Sequence, residues 1–145
     1  MNKIPLFIGK SLGFDRDMIV FSVKYGNLPN FFTKAILDTG CPFTIISEST
    51  IKKTRIPYSD KATKFNVQLG TIPLDLKELG GCEISLRDEK NESLKFKQEL
   101  FVGIPSVRGY ISQELPSLVG KDFLNKHSLS IINKKEGNYL LLDSE

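Results

Sequence analysis

Ala35-Ile36-Leu37-Asp38-Thr39-Gly40 is an apolar run that ends in a carboxylate, a hydroxyl and a glycine. Phe43-Thr44-Ile45-Ile46 follows, so strand-forming apolar sequence lies on both sides of one acidic residue. Gly40 lets the chain turn tightly and bares backbone N–H groups. Such groups can orient a carboxylate by hydrogen bonding, and the Thr39 hydroxyl can donate or accept one more bond. An Asx-type turn that simply closes a strand uses the same tripeptide. A surface turn does not need apolar strands on both sides, and that context favours Asp38 as a functional carboxylate.

Outward from this stretch, short apolar or alternating runs recur between turn signals. Met18 to Tyr25 is rich in strand formers, Gly26 to Asn30 breaks it, and Phe31 to Leu37 returns, which predicts a β-hairpin with a five-residue loop. Thr44 to Ser47 reads as a short strand, and Ser47 to Lys53 as one helical turn behind a serine cap. Phe65 to Leu69 and Ile72 to Leu76 alternate around a Gly70-Thr71 bend, and Pro73 argues for an edge position because it cannot donate to a ladder. Leu79-Gly80-Gly81 is a second flexible point before Cys82 to Leu86. Leu94 to Val102 is the next strand, and a long loop with two prolines runs from Gly103 to Ser117. Leu118-Val119-Gly120 precedes a short helix, Lys121 to His127, that buries Phe123 and Leu124; Leu129 to Ile132 and Tyr139 to Leu142 close the chain as a hairpin. Eight to ten short strands and one or two short helices make an all-β fold, and 145 residues fit a single domain spanning 1–145.

Composition removes several function classes. Lys plus Arg is 20 against 17 for Asp plus Glu, a net charge of +3, and the basic clusters Lys52-Lys53 with Arg55 and Lys134-Lys135 are short and separate. A nucleic-acid-binding barrel would carry a concentrated basic stripe instead, so no nucleic-acid partner is expected. Cys41 and Cys82 lack a Cys or His at ligand spacing, and the chain has one His, so neither a metal nor another cofactor is expected. Met1 to Lys10 lacks the apolar core of a signal peptide and no run is long enough for a membrane helix, so the expectation is a cytoplasmic protein with no membrane partner. Asp15-Arg16-Asp17 reads as a solvated turn, Asp122 as a first-turn helix residue, and His127 as a structural cation suited to a helix C-terminus. Cys41 as a thiol nucleophile is set aside because no partner His lies near it in sequence.

The run from Ala35 to Ile46 resembles the active-site strand and loop of the retropepsin-like aspartic proteases. Leu118-Val119-Gly120-Lys121-Asp122-Phe123-Leu124, 80 residues on, resembles that family's hydrophobic-hydrophobic-Gly element with its short helix. The resemblance covers Met18 to Leu142 and implies a closed retropepsin-like β-barrel with one or two short helices. Cys41 stands where the family usually has Ala or Ser, and Pro42 and Lys121 replace an Asp–Arg pair that retroviral members use. That departure favours a cellular or mobile-element relative.

What the resemblance implies is an aspartic endopeptidase, a hydrolase. In such enzymes one carboxylate takes a proton from water while the other, protonated, polarises the scissile carbonyl. Two close carboxylates cannot both ionise cheaply, so a dyad shares one proton. Asp-Thr-Gly occurs once here and Asp-Ser-Gly not at all. One chain therefore supplies one carboxylate, and a two-fold homodimer would supply the Asp38/Asp38' dyad. By the same resemblance Thr39, Gly40 and Cys41 form the active-site loop, and Thr39 hydrogen-bonds across the axis. Leu69, Gly70, Thr71 and Ile72 form a flap over a peptide or protein substrate, with Leu79-Gly80-Gly81 as the alternative tip. Leu118, Val119 and Gly120 form the second active-site element, with Ile72, Val119 and Ile104 lining apolar pockets. The terminal segments Ile4 to Ile8 and Tyr139 to Leu142 build an interfacial sheet. The alternative is a catalytically weak or inactive retropepsin-like module for dimerisation or peptide binding, since fold does not fix function.

Overall fold

A computed structural model describes residues 2–11, 13–59, 62–69, 72–106 and 115–143. The strands are β1 (Asn2–Pro5), β2 (Phe7–Ser11), β3 (Phe14–Lys24), β4 (Phe31–Leu37), β5 (Ile45–Ser47), β6 (Ala62–Leu69), β7 (Ile72–Arg87), β8 (Ser93–Pro105), β9 (Ser117–Val119), β10 (Leu129–Ile132) and β11 (Tyr139–Leu142). Two short helices, α1 (Glu48–Lys52) and α2 (Lys121–Lys126), complete the elements. The fold is mostly β, as the alternation predicts.

One sheet runs β2-β3-β4-β9-β5-β8-β7-β6, and a further pairing of β3 with β7 joins its ends. Ser22, Val23 and Lys24 of β3 lie opposite Ser85, Ile84 and Glu83 of β7, which closes β3, β4, β9, β5, β8 and β7 into a ring. β2 and β6 hang outside the ring on β3 and β7. Closure removes free edges from the six ring strands. A second sheet, β1-β11-β10, is made from the two ends of the chain.

Two apolar clusters fill the molecule. The larger includes Ile19, Phe21, Val23, Ile84, Leu86, Leu100, Val102, Val119, Phe123 and Leu140. The smaller gathers Met18, Ile36, Cys41, Ile45, Leu69, Leu74, Leu76, Leu115 and Leu118. β7 serves both, because a bulge between Glu78 and Gly80 inserts one residue against β8. Leu74 and Leu76 before the bulge face the smaller cluster, while Cys82, Ile84 and Leu86 after it face the larger. A straight strand would turn all five to one side, since they are spaced by two. Gly80 has φ +101°, a conformation that L side chains resist. Gly80-Gly81 is thus a phase change inside a continuous strand, not a loop tip, which removes the alternative flap position.

Three other expectations shift. Asp15-Arg16-Asp17 lies within β3, opposite Lys10, Gly9 and Ile8 of β2, because a strand partner exists that the local sequence does not reveal. The segment expected as one terminal strand, Ile4 to Ile8, bends at Leu6 and feeds both sheets. Pro73 sits in a strand flanked by β6 and β8, not at an edge; it falls at the last rung, where the Ser106 N–H donates to its carbonyl at 3.0 Å. Only an acceptor is needed there, and proline keeps one. Ser47 caps α1 as read, accepting from the Thr50 N–H at 3.3 Å.

Candidate active site

β4 and β5 follow each other in sequence but are not neighbours in the sheet. β9 lies between them, parallel to β4 through Ala35↔Ser117, Ile36↔Leu118 and Leu37↔Val119, and antiparallel to β5 through Ile45↔Leu118. The connection from Asp38 to Thr44 must therefore cross the end of β9. At the crossing the Asp38 N–H donates to the Val119 carbonyl at 3.0 Å and the Lys121 N–H to the Cys41 carbonyl at 2.8 Å. Gly120 lies directly beneath. A Cβ there would run into the backbone carbonyls of Phe43 and Cys41, so the loop can cross only over a residue with no side chain. This contact explains why Asp-Thr-Gly and Leu-Val-Gly occur as a pair: the second supplies the floor of the first.

Asp38 is half-buried, while Thr39 and Gly40 are exposed. The Gly40 N–H donates to Asp38 Oδ1 at 3.0 Å, and the Cys41 N–H to the Asp38 carbonyl at 3.1 Å. The tight turn thus fixes one carboxylate oxygen and leaves the Thr39 side chain facing outward. Cys41 is buried, and its thiol donates to the Phe43 carbonyl at 3.2 Å. Burial pushes that thiol up from its ordinary pKa, against the bond to Phe43, and Asp38 and Asp122 push the same way as burial. Cys82 is pushed up to about 11, by burial and by Glu99. Both stay protonated at neutral pH, and they belong to different clusters, which leaves neither as a nucleophile nor the two as a disulfide.

The smaller apolar cluster brings Cys41, Leu69, Ile72 and Leu118 together, so the β6–β7 hairpin packs against the Asp38–Thr44 loop. Leu69 and Ile72 form the closing pair of that hairpin. Gly70 and Thr71 lie outside the described residues. Phe65 of β6 stacks on Phe43 of the loop, ring centres 4.9 Å apart, and Phe101 of β8 joins both. Val119 and Ile104 do not line a common pocket with Ile72: Val119 is buried in the larger cluster and Ile104 packs against it.

A polar network behind the loop is absent from the sequence reading. Thr44 is fully buried; its hydroxyl donates to Asp122 Oδ1 at 2.7 Å and accepts the Gly120 N–H at 3.2 Å. The Thr44 N–H donates to Asp122 Oδ2 at 3.1 Å, and Gln98 Nε2 donates to the same oxygen at 3.1 Å. Asp122 does stand in the first turn of α2 as expected, yet its carboxylate ties loop, helix and β8 together. A threonine inside the apolar run Phe43 to Ile46 was the available signal. His127 caps α2, between the rings of Phe96 and Phe123 and 3.1 Å from Gln98 Oε1. Burial, then Lys126, lowers its pKa, so it is neutral at neutral pH and not the expected cation; it fills space instead.

Neither a protein-family model nor a curated protein matches the chain. Among solved structures it is similar to EIAV protease in complex with the inhibitor HBY-793, with a TM-score of 0.50 and 11% identity over 86% of this chain and 99% of that one. A retropepsin-like aspartic protease from Rickettsia conorii also aligns, at TM-score 0.49 and 14% identity, covering 97% of this chain and 93% of that one. The likeness to EIAV protease and the six-strand ring identify the fold: the chain is a retropepsin-like β-barrel with two short helices.

Proposed function

We propose that the chain is an aspartic endopeptidase that works as a homodimer, hydrolysing peptide bonds through a water activated between Asp38 of one protomer and Asp38 of its partner. One observation carries the reading. Asp38 sits half-buried at the end of β4, in a turn that crosses the β9 end over Gly120 and leaves Thr39 and Gly40 exposed. A carboxylate fixed by the Gly40 N–H, on a loop whose outer surface is free, is placed to meet a second copy of itself across a two-fold axis. There one carboxylate acts as base on the water and the other, protonated, polarises the scissile carbonyl. Thr39 of each protomer hydrogen-bonds across the axis and holds the two loops in register. The hairpin that places Leu69 and Ile72 over Cys41 acts as the flap, and an extended substrate lies beneath it.

The test is cleavage of a peptide library by the purified chain and by Asp38→Asn. Loss of a carboxylate acting in proton transfer costs roughly 10²–10⁴-fold in rate. Undiminished cleavage by the variant would remove the assignment. A wild-type chain that dimerises but cleaves nothing would favour the binding module.

A further inference from the structure

β3 outruns one of its neighbours at the Asp38 end of the sheet. Its ladder with β4 stops at Met18↔Ile36, two residues before Asp38, while its ladder with β2 continues to Ser11↔Phe14. β3 and β4 are antiparallel, so the start of one lies beside the end of the other. Past the last rung the chain of β4 turns off across β9, and β3 runs on for four residues, roughly 14 Å at the usual rise. Among the described residues, no strand pairs with Phe14, Asp15, Arg16 or Asp17 on the β4 side. The β2–β3 hairpin is thus an arm that projects past the level of Asp38, beside the exposed Thr39 and Gly40.

The arm carries a large apolar side chain on each face. Ile8 lies opposite Asp17 on one face, and Phe14 stands two residues from Arg16, with Gly9 opposite, on the other. Ile8 and Phe14 are each 64% exposed, and the Arg16 guanidinium lies over the Phe14 ring, 5.7 Å from its centre. A hairpin that laid one face on its own barrel would keep the other polar; this one commits neither. Phe32 is the one other large apolar side chain more than half exposed among the described residues, and it stands six residues before Asp38 on β4, roughly 20 Å along the strand. The apolar surface at the Asp38 end is therefore concentrated on the arm. Its charges cancel, Lys10 and Arg16 against Asp15 and Asp17.

We propose that the β2–β3 arm is the clasp that holds a second copy of this chain, with Ile8 and Phe14 buried against it. The contact rests on the Asp38 pairing proposed above, and that pairing says what meets the arm. Two carboxylates share one water only when both loops lie against a common two-fold axis. Whatever stands beside the loop and projects beyond it then faces the second copy. A two-fold contact brings like to like, and an arm of zero net charge does not repel its own image, as a basic or an acidic one would. β11 is paired on both sides within its own chain and offers the second copy no edge, so side-chain packing has to supply the affinity. Each chain grips the other, and four apolar side chains leave water at once.

The experiment is sedimentation velocity over a concentration series, on the full chain carrying Asp38→Asn so that self-cleavage does not intervene. A reversible dimer is expected. Ile8→Glu with Phe14→Glu should raise its dissociation constant at least about 10-fold, because carboxylates from both copies would be forced into the contact. Both positions are exposed in the single chain, so the double variant should still melt cooperatively. Phe32→Glu, equally exposed but on the far part of β4, should dimerise as the parent does. A double variant that dimerises as tightly as the parent overturns the arm and leaves the Asp38 dimer standing. Equal weakening by Phe32→Glu overturns it too, since the contact would then lie elsewhere. A parent that stays monomeric throughout removes the arm and the dimer together. A chain that dimerises through the arm but cleaves nothing as wild type keeps this contact and loses the endopeptidase.

Discussion

Thr44 has no surface to offer a ligand, yet it holds the Asp38 loop to its support. Its hydroxyl satisfies a carboxylate oxygen of Asp122 and the Gly120 N–H at once. Thr44→Val keeps the shape and removes the hydroxyl, taking the acceptor from the buried Gly120 N–H and leaving Asp122 Oδ1 with the Phe123 N–H. Such a loss costs about 1–3 kcal/mol, more where a charge is involved. Urea denaturation should show a lower midpoint at unchanged slope, and cleavage should fall with it because Gly120 no longer anchors the crossing. Asp88 makes a different residue-scale prediction. Hydrogen bonds from the N–H of Glu92, from Asn2 and from the N–H of Lys90, with the charge of Lys90, hold its carboxyl below the usual carboxylate range. A folded pKa below the unfolded one adds stability that is present above about pH 4, the unfolded value, and lost as pH falls through the folded value. Asp88→Asn should therefore melt earlier than the parent at pH 7, with the gap closing in acid. A gap that is constant with pH would show that the charge contributes nothing.

At the scale of elements, β7 links the two apolar clusters through a single inserted residue. Gly80→Ala forces a side chain onto φ +101°, a cost of roughly 1–3 kcal/mol readable as a lowered melting temperature. Deleting Leu79 takes out the inserted residue itself, so the ladder straightens with Cys82, Ile84 and Leu86 still facing the larger cluster; the expected result is a cooperative transition at a lower midpoint, by about 2–5 kcal/mol for the lost buried leucine side chain. Much at this scale was legible locally. β4 runs from Phe31 to Leu37 as its alternation implies, Ser47 caps α1, and Phe123 with Leu124 are the buried residues of α2. Each of these is decided by near neighbours in the chain. The strand character of Asp15 to Asp17, the bulge at Gly80 and the interior place of Pro73 depend on which distant strand lies alongside, and pairing leaves no mark in a run of a few residues. The site divides in the same way. Asp38 and the glycines announce themselves, whereas Thr44, Gln98 and Asp122 become a unit only when β8, α2 and the loop meet.

For the whole molecule, the proposed activity belongs to two chains and so to concentration. Cleavage per chain should fall on dilution, as association is lost by mass action. The end-to-end sheet bears on how that loss occurs. β11 pairs with β1 on one side, through Asn2↔Leu142 to Pro5↔Tyr139, and with β10 on the other, through Leu129↔Leu142 to Ile132↔Tyr139. Both of its edges are occupied inside its own chain. β11 thus needs no strand from a partner, and separation of a pair breaks no strand pairing of β11. Partners should then trade freely between pairs. An equal mixture of wild type and Asp38→Asn should settle at about a quarter of the activity of the same total amount of wild type, as random two-fold pairing requires. An inactive allele would then act as a dominant poison of its active neighbour, and retention of half the activity after long mixing would mean that the pairs never part.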